Sequence, residues 1–276
     1  MKDKAKTILA AYTAIIIFIF YLPLILVVIL SFKAGARISF PIEKFDLYWY
    51  FGEPGKVGTS GFTSGIFHDP YIARVARDSI LLGVVNGAIV MPLVLSAALA
   101  FRHRFAGRDL IFYLLLMGFV IPAVILGLGA NLFYKAIGIK EYSLWTVLPL
   151  HIVYTLPFGL IITMARFDPM MVEYENAART LGASAWNVFR KITFPLIRTE
   201  AISVFFFAFT LSFSELLRAA FVVGGIGTLS TYIYNQMSVT APTPKWFAMG
   251  SVTTALSLII LLSLAYIMSR GQRRAI

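Results

Sequence analysis

The sequence predicts an all-α membrane protein that crosses the bilayer six times. Of its 276 residues, 59% are hydrophobic and only 13% are charged, whereas a soluble domain is about half apolar and about a quarter charged. The mean hydropathy is +0.82. The apolar residues also gather in runs long enough to cross about 30 Å of hydrocarbon, which takes about 20 helical residues. A soluble single-domain enzyme is therefore not expected.

Six runs meet this length. The first covers about residues 8–31, follows a lysine-rich start, and is expected to be a retained signal-anchor helix. The others cover about residues 79–101, 110–134, 143–164, 201–223 and 247–268. Prolines lie within or near several runs, which predicts bent helices around a cavity. An even number of spans places both termini on one side, and the whole chain, residues 1–276, is expected to form one domain.

The basic residues predict the orientation. Fourteen of the 24 Lys and Arg residues fall on the side that holds both termini, all of them in short segments. The densest groups are RHRFAGRD after the second span and RGQRR near the C-terminus. The positive-inside rule makes that side cytoplasmic. Because these charges are dispersed among loops, the net charge of +11 does not indicate a nucleic-acid surface.

Residues 32–78 form the predicted external segment. Its aromatic residues Tyr48, Trp49 and Tyr50 are expected to anchor it at the lipid headgroups. The stretch GKVGTS lacks the residue order of a phosphate-binding loop, so the chain is not expected to bind ATP itself. The absence of cysteine excludes thiolate chemistry, and the three histidines lack the spacing of a metal site.

The cytoplasmic loop over residues 167–199 is longer than a helix connection needs. Asp168 is a candidate N-cap for a helix over Pro169–Leu181, and Gly182 is a candidate stop. A second short helix is expected over Ala185–Ile192. Pro195 is expected to end that helix before the fifth span begins.

The loop contains Asn176-Ala177-Ala178, then Gly182 after three residues, then Ile192-Thr193-Phe194-Pro195 after nine more. This spacing resembles the signature of a known family, the inner-membrane permeases of binding-protein-dependent ABC importers. That signature is E-A-A, three residues, G, nine residues, then I-x-L-P. Two positions differ from the family pattern: Asn176 replaces the usual Glu, with Glu175 one residue earlier, and Phe194 replaces Leu.

The resemblance implies the fold and the partners. It implies the type I (MetI-like) importer permease fold in the bacterial inner membrane, with the loop seated as a coupling helix in an ABC ATPase dimer that holds ATP and Mg²⁺. A second homologous permease and a periplasmic or lipid-anchored binding protein would complete the assembly. The implied ATPase-coupling residues are Glu175, Asn176, Ala177, Ala178, Gly182, Ile192 and Pro195.

Few ionisable residues lie within the predicted spans, and those that do are candidates for a solute pathway. Glu215 and Arg218 are three residues apart on the fifth span, so they share a face and are candidates to pair. An ion pair at the outer interface is an equally good interpretation. The run Ser212–Glu215 also resembles permeases of the polyamine, opine and phosphonate group. The pathway candidates are therefore Ser212, Ser214, Glu215 and Arg218.

The expected function is transport of a small polar solute of the polyamine, opine, phosphonate or amino-acid kind. An integral-membrane enzyme using Glu215, Arg218 and His151 is one alternative, although no convergent catalytic or metal-binding set is visible. An ion-coupled carrier is another, although it would require more intramembrane carboxylates and an internal repeat. Asn86, Asn131 and His151 are expected to form hydrogen bonds between helices.

Overall fold

The computed structural model describes residues 2–53, 64–165, 167, 169–225 and 227–273. Within these ranges the regular structure is helical, apart from one isolated bridge between Lys33 and Phe45. The helices are α1 (Lys2–Ser31), α2 (Tyr48–Phe51), α3 (Pro70–Phe101), α4 (Arg108–Val120), α5 (Ala123–Ala136), α6 (Leu144–Met164), α7 (Pro169–Thr180), α8 (Ala185–Val188), α9 (Phe194–Ser214), α10 (Leu229–Val239) and α11 (Pro244–Arg273).

Five helical stretches of the described chain are long and apolar enough to cross a membrane. They are Lys6–Ser31, Pro70–Phe101, Leu144–Met164, Ala185–Ser214 and Pro244–Tyr266. A sixth crossing is provided if α4 and α5 count together as one broken span. The all-α, multi-span fold class predicted from composition is confirmed.

The run over residues 110–134 differs from a continuous span, because α4 and α5 are bent by 101° at their junction. Ile121 is extended there, with φ −63° and ψ 126°. A residue before proline is disfavoured in the helical region, and Pro122 follows it. With 13 residues, α4 is only about 20 Å long. The apolar run therefore changes direction part-way.

The fifth span also differs from its predicted extent of residues 201–223. Its helix ends at Ser214, and Glu215 is extended, with φ −72° and ψ 125°. The Glu215 carboxylate accepts a hydrogen bond from the backbone N–H of Arg218 at 3.0 Å. A side-chain acceptor of this kind competes with the helical hydrogen bond. The chain continues through a single 3₁₀ turn over Ala219–Phe221.

The chain divides into two compact units, one of Met1–Arg74 with Ile233–Leu256 and one of Val75–Tyr232 with Ser257–Ile276. We refer to them as the first and the second unit. The single-domain organisation expected from the sequence stays a prediction.

The first unit buries aromatic residues of the external segment. The Trp49 indole N–H donates to the Lys33 carbonyl at 3.0 Å, and the Tyr50 hydroxyl lies 2.7 Å from Ser31 Oγ. Trp49 is 1% exposed. The prediction that these rings anchor at headgroups is wrong for Trp49 and Tyr50, because their polar ends find partners inside the protein.

The core of the second unit lies around α6, which packs against α4 and α9. Asn86 on α3 donates to Thr155 Oγ1 on α6 at 3.2 Å and to the Ala208 carbonyl on α9 at 3.0 Å. His151 Nδ1 lies 2.8 Å from Ser212 Oγ. The predicted interhelical roles of Asn86 and His151 are confirmed, and these bonds position the helices that carry the candidate site.

Candidate functional site

The cytoplasmic loop adopts the predicted helix–break–helix form. Helix α7 ends at Thr180, and Gly182 follows in the left-handed region with φ +83°. The N–H groups of Gly182 and Ala183 close the end of α7 by donating to the carbonyls of Arg179 and Ala178. Glycine adopts this backbone conformation at little cost, whereas a side chain opposes it. Asp168, the predicted N-cap, lies outside the described residues.

The second helix of the loop continues directly into the fifth span, and the prediction that Pro195 ends it is wrong. Helix α8 passes through a π turn, Phe189–Thr193, into α9, so the chain is helical from Ala185 to Ser214. Pro195 lies in the first turn of α9. A proline is tolerated after such an irregular turn, because the normal hydrogen-bond pattern is already interrupted there.

Glu175 is buried and forms the central contact of the loop. Its two carboxylate oxygens accept from the two terminal nitrogens of Arg102, at 2.9 and 3.1 Å. Thr193 in the π turn donates to the same carboxylate at 2.7 Å. The Arg102 guanidinium also lies over the Phe167 ring, 5.0 Å from its centroid. We call Arg102, Glu175 and Thr193 the loop clamp.

The surroundings of Glu175 keep it ionised. Burial raises its pKa, but the hydrogen bonds from Arg102 and Thr193 and the positive charges of Arg102 and Arg179 outweigh burial, and the pKa is lowered from its ordinary value. A carboxylate with charge-assisted donors on both oxygens is held strongly. Arg102 and Thr193 thus hold the Glu175 carboxylate in its charged form.

The other predicted coupling residues differ in exposure. Asn176, Ala177, Gly182 and Pro195 are exposed, and Ala178 and Ile192 are partly buried. Two large apolar side chains near the glycine break are also exposed, Leu181 by 89% and Trp186 by 66%. The motif spacing did not mark either one. We call Asn176, Ala177, Leu181 and Trp186 the coupling tip.

The predicted ion pair between Glu215 and Arg218 is confirmed. Arg218 Nη1 lies 3.0 Å from Glu215 Oε2, and both side chains are about nine-tenths buried. The residues lie beyond the end of α9, so a turn rather than a shared helix face brings them together. The Arg218 guanidinium also lies 3.8 Å from the centre of the Tyr154 ring.

The turn that carries this pair is bonded to neighbouring elements of the second unit. Asn131 on α5 donates to the Phe221 carbonyl at 2.6 Å, which confirms its predicted role. Thr146 on α6 donates to the Val222 carbonyl, also at 2.6 Å. Sequence patterns gave no signal for these side-chain-to-backbone contacts, because the partners are 76 to 90 positions apart.

The two serine candidates have different surroundings. Ser212 is buried against His151, whereas Ser214 is exposed and donates to the Thr210 carbonyl of its own helix at 2.9 Å. Of the four pathway candidates, Ser212, Glu215 and Arg218 are thus enclosed by protein, and Ser214 faces outward from the second unit.

Comparison with known proteins identifies the class. Residues 92–273 match the family described as binding-protein-dependent transport system inner membrane component. The chain belongs to this family. The match covers both the loop clamp's π turn and the coupling tip, so the resemblance based on the loop motif is confirmed. The permease is therefore an inner-membrane transport component, and the family supports neither the enzyme nor the ion-coupled carrier.

Individual relatives agree with this assignment. The permease is 24% identical to the spermidine/putrescine transport system permease protein PotC of Escherichia coli over 88% of this chain and 87% of PotC. It is 29% identical to the E. coli sulfate transport system permease protein CysT over 72% of this chain and 76% of CysT. These relatives are named for solutes of opposite charge.

The fold is also that of solved importer permeases. A chain of the bacterial alginate ABC transporter, in complex with alginate pentasaccharide-bound periplasmic protein, matches with a TM-score of 0.65 at 17% identity. The match covers 98% of the permease and 96% of that chain. The MetI-like architecture implied by the loop motif is confirmed.

Proposed function

We propose that this permease forms one half of the pathway for a small polar solute, which an external binding protein delivers and which ATP hydrolysis on separate subunits drives inward. A second homologous permease would supply the other half. ATP and Mg²⁺ would be held by a dimer of ABC ATPases seated against the cytoplasmic loop. The chain itself would provide no catalytic group.

The main support for this proposal is that the cytoplasmic loop is joined firmly to two membrane helices. The loop clamp ties α7 to Arg102 at the cytoplasmic end of α3. Beyond Gly182, the helix runs without a break from Ala185 to Ser214. A displacement of the loop would therefore reach two membrane helices as a rigid-body movement. Such elements let a partner's two states drive a conformational change.

The coupling tip is the surface that we assign to the ATPase. Leu181 and Trp186 are large, apolar and exposed beside the glycine break. Burial of such side chains in a partner's groove stabilises a complex, and aromatic residues are common at the centre of interfaces. Because Glu175 is engaged by Arg102, the contact at the motif position would come from the neutral amide of Asn176.

The surroundings of the four pathway candidates bear on the class of solute. We propose a solute of the polyamine, opine, phosphonate or amino-acid kind. The carboxylate of Glu215 is neutralised by Arg218, so it offers no free charge to attract a cation. Ser214 would contact the solute, and Ser212, Glu215 and Arg218 would shape the wall behind it. Selection by charge would then lie mainly with the binding protein.

Reconstitution tests the transport proposal. The permease would be placed in vesicles with its partner permease and ATPase, and uptake and ATP hydrolysis would be measured with the binding protein and spermidine, sulfate or an amino acid. Spermidine or the amino acid is expected to stimulate hydrolysis and to enter only when ATP is hydrolysed, whereas sulfate lies outside the proposed class and should do neither. Uptake with an ATPase variant unable to hydrolyse ATP, driven by an ion gradient, would overturn it.

Docking can be tested separately. Leu181→Asp and Trp186→Asp place a charge on the coupling tip and are expected to reduce co-purification of the ATPase at least about tenfold, because a desolvated interface charge costs more than about 1.4 kcal/mol. The matched control is Val239→Asp, since Val239 is 78% exposed outside the loop. Equal recovery of the ATPase with all three variants would contradict the assignment.

A further inference from the structure

The connection between α3 and α4 forms a basic cleft that the transport mechanism does not use. An open cavity of about 510 Å³ lies there, lined by Arg104, Phe105, Gly107, Arg108, Asp109 and Leu110. A second cavity of about 270 Å³ shares Arg108 and Asp109 with the first and is otherwise lined by Phe101, Phe112, Tyr113 and Met164. A polar cleft therefore adjoins an apolar one.

The arginines of this cleft have unused hydrogen-bonding capacity. Among the described residues, neither Arg104 nor Arg108 forms an ion pair, and the Nε atom of Arg108 is buried without a hydrogen-bond partner. A buried donor without a partner costs free energy unless a ligand or water satisfies it. Asp109 is the one carboxylate in the lining, so two guanidiniums leave the cleft with net positive charge.

The ion pair between Arg102 and Glu175 fixes the side of the membrane on which the cleft lies. It holds the start of the α3–α4 connection against the cytoplasmic loop. The cleft therefore lies at the cytoplasmic surface of the inner membrane. Anionic lipids there attract basic groups, and basic pockets at the ends of membrane helices bind their headgroups.

We propose that this cleft binds the phosphate headgroup of an anionic phospholipid of the cytoplasmic leaflet. Arg104 and Arg108 would hold the phosphate, since guanidiniums bind phosphate oxygens in pairs. The adjoining apolar cavity, beside Phe112 and Tyr113, would receive the start of an acyl chain. Leu110, Tyr113 and Leu114 are each more than half exposed along α4 and continue this apolar surface.

The adjoining apolar cavity favours a lipid over a free anion. A soluble phosphate would use the arginines but would gain nothing from the aromatic wall around Phe112. An amphiphile satisfies both cavities at once. The site would fix the cytoplasmic end of α4 relative to the membrane surface, independently of which solute is carried.

Native mass spectrometry of the full-length permease tests this proposal. The protein would be exchanged into detergent with phosphatidylglycerol, cardiolipin or phosphatidylcholine at equal concentrations, and retained lipid would be counted. Retention of the anionic lipids is expected to exceed that of phosphatidylcholine. The double variant Arg104→Gln/Arg108→Gln should reduce anionic retention by about 25-fold, since each arginine near an anionic surface contributes roughly fivefold.

Two controls keep the test decisive. Arg190→Gln/Lys191→Gln removes two exposed cytoplasmic charges elsewhere and should leave retention unchanged, and Arg104→Gln alone covers the case in which the double variant fails to fold. Unchanged anionic retention in both Arg104 variants would overturn the proposal. Displacement of the lipid by millimolar inorganic phosphate would instead indicate a free-anion site. Loss of the lipid on assembly with the ATPase would also overturn the proposal, because protein rather than lipid would then cover the cleft.

Discussion

Arg102, directly after α3, and Glu175 in α7 are 73 positions apart and form a bidentate ion pair, with N–O distances of 2.9 and 3.1 Å. Thr193 completes the carboxylate's hydrogen bonds from the π turn that precedes the fifth span. Three segments of the chain therefore meet at one side chain. The permease holds its cytoplasmic loop by an internal charge pair at the position next to the family's usual glutamate.

Glu175→Gln is expected to weaken the loop clamp and to uncouple transport. Removing one partner leaves Arg102 buried without its counter-charge, which costs about 3–5 kcal/mol in comparable buried pairs. Thermal unfolding of the purified permease should shift to lower temperature, and uptake should fall more than ATP hydrolysis. Glu173→Gln on the exposed face of the same helix is the matched control. Equal uptake by the two variants would show that the pair carries no coupling.

The clamp should lose its effect only at acid pH. The folded-state pKa of Glu175 lies below its ordinary value, so its stabilising contribution is present above the unfolded pKa and is lost as pH falls through the folded pKa. The difference in unfolding temperature between the wild type and Glu175→Gln should be constant from about pH 8 to 5.5. It should shrink below the unfolded pKa of about 4.3. If the difference in unfolding temperature already shrank near pH 7, Glu175 could not have a lowered pKa in the folded protein.

The loop shows how far sequence patterns reach. The helix, the break at Gly182 and the second helix follow from local signals: proline at a helix start, glycine at a helix end and a fixed motif spacing. The loop clamp does not, because Arg102, directly after α3, has no fixed spacing from the motif. The prediction that Pro195 ends the second helix was wrong. Proline is a local signal for a helix end, but the π turn before Pro195 lets the helix continue past it.

The membrane spans show the same limit. Hydropathy found the apolar runs, because lipid requires about 20 apolar residues wherever a helix crosses. It did not find the end of α9 at Ser214, although the charged residues Glu215 and Arg218 follow there. The 101° bend near Pro122 agrees with the bent helices that the prolines predict, but hydropathy alone gives neither its place nor its angle. Glu215 was recognised as a partner of Arg218 from spacing alone. The position of the Arg218 guanidinium over the Tyr154 ring depends on packing between distant segments, which no local pattern encodes.

Replacing Gly182 should impair coupling through backbone strain rather than through a clash. Its φ is +83°, and a Cβ atom there would have no heavy atom within 4 Å. Valine should cost about 1–2 kcal/mol in the left-handed conformation, and asparagine less. Gly182→Val should therefore reduce uptake per ATP hydrolysed, with Gly182→Asn in between. Gly138→Val carries the same strain outside the loop, at φ +85° with open space, and should keep normal coupling.

The contact between α4 and α6 depends on Gly118, whose lack of a side chain lets the two helices approach closely. A Cβ atom on Gly118 would overlap the Val153 carbonyl oxygen, so the two backbones could not keep their approach. Small residues permit such close packing between membrane helices. Gly118→Ala should destabilise the permease by about 1–3 kcal/mol, the usual cost of overpacking.

Gly129→Ala on α5 is the matched control for this contact. A Cβ atom there would meet nothing within 4 Å, and alanine is the better helix former by up to about 1 kcal/mol. In detergent, Gly129→Ala should unfold at the wild-type temperature or above it, whereas Gly118→Ala should unfold below it. Similar unfolding temperatures for the two variants would mean that α4 and α6 do not meet at Gly118.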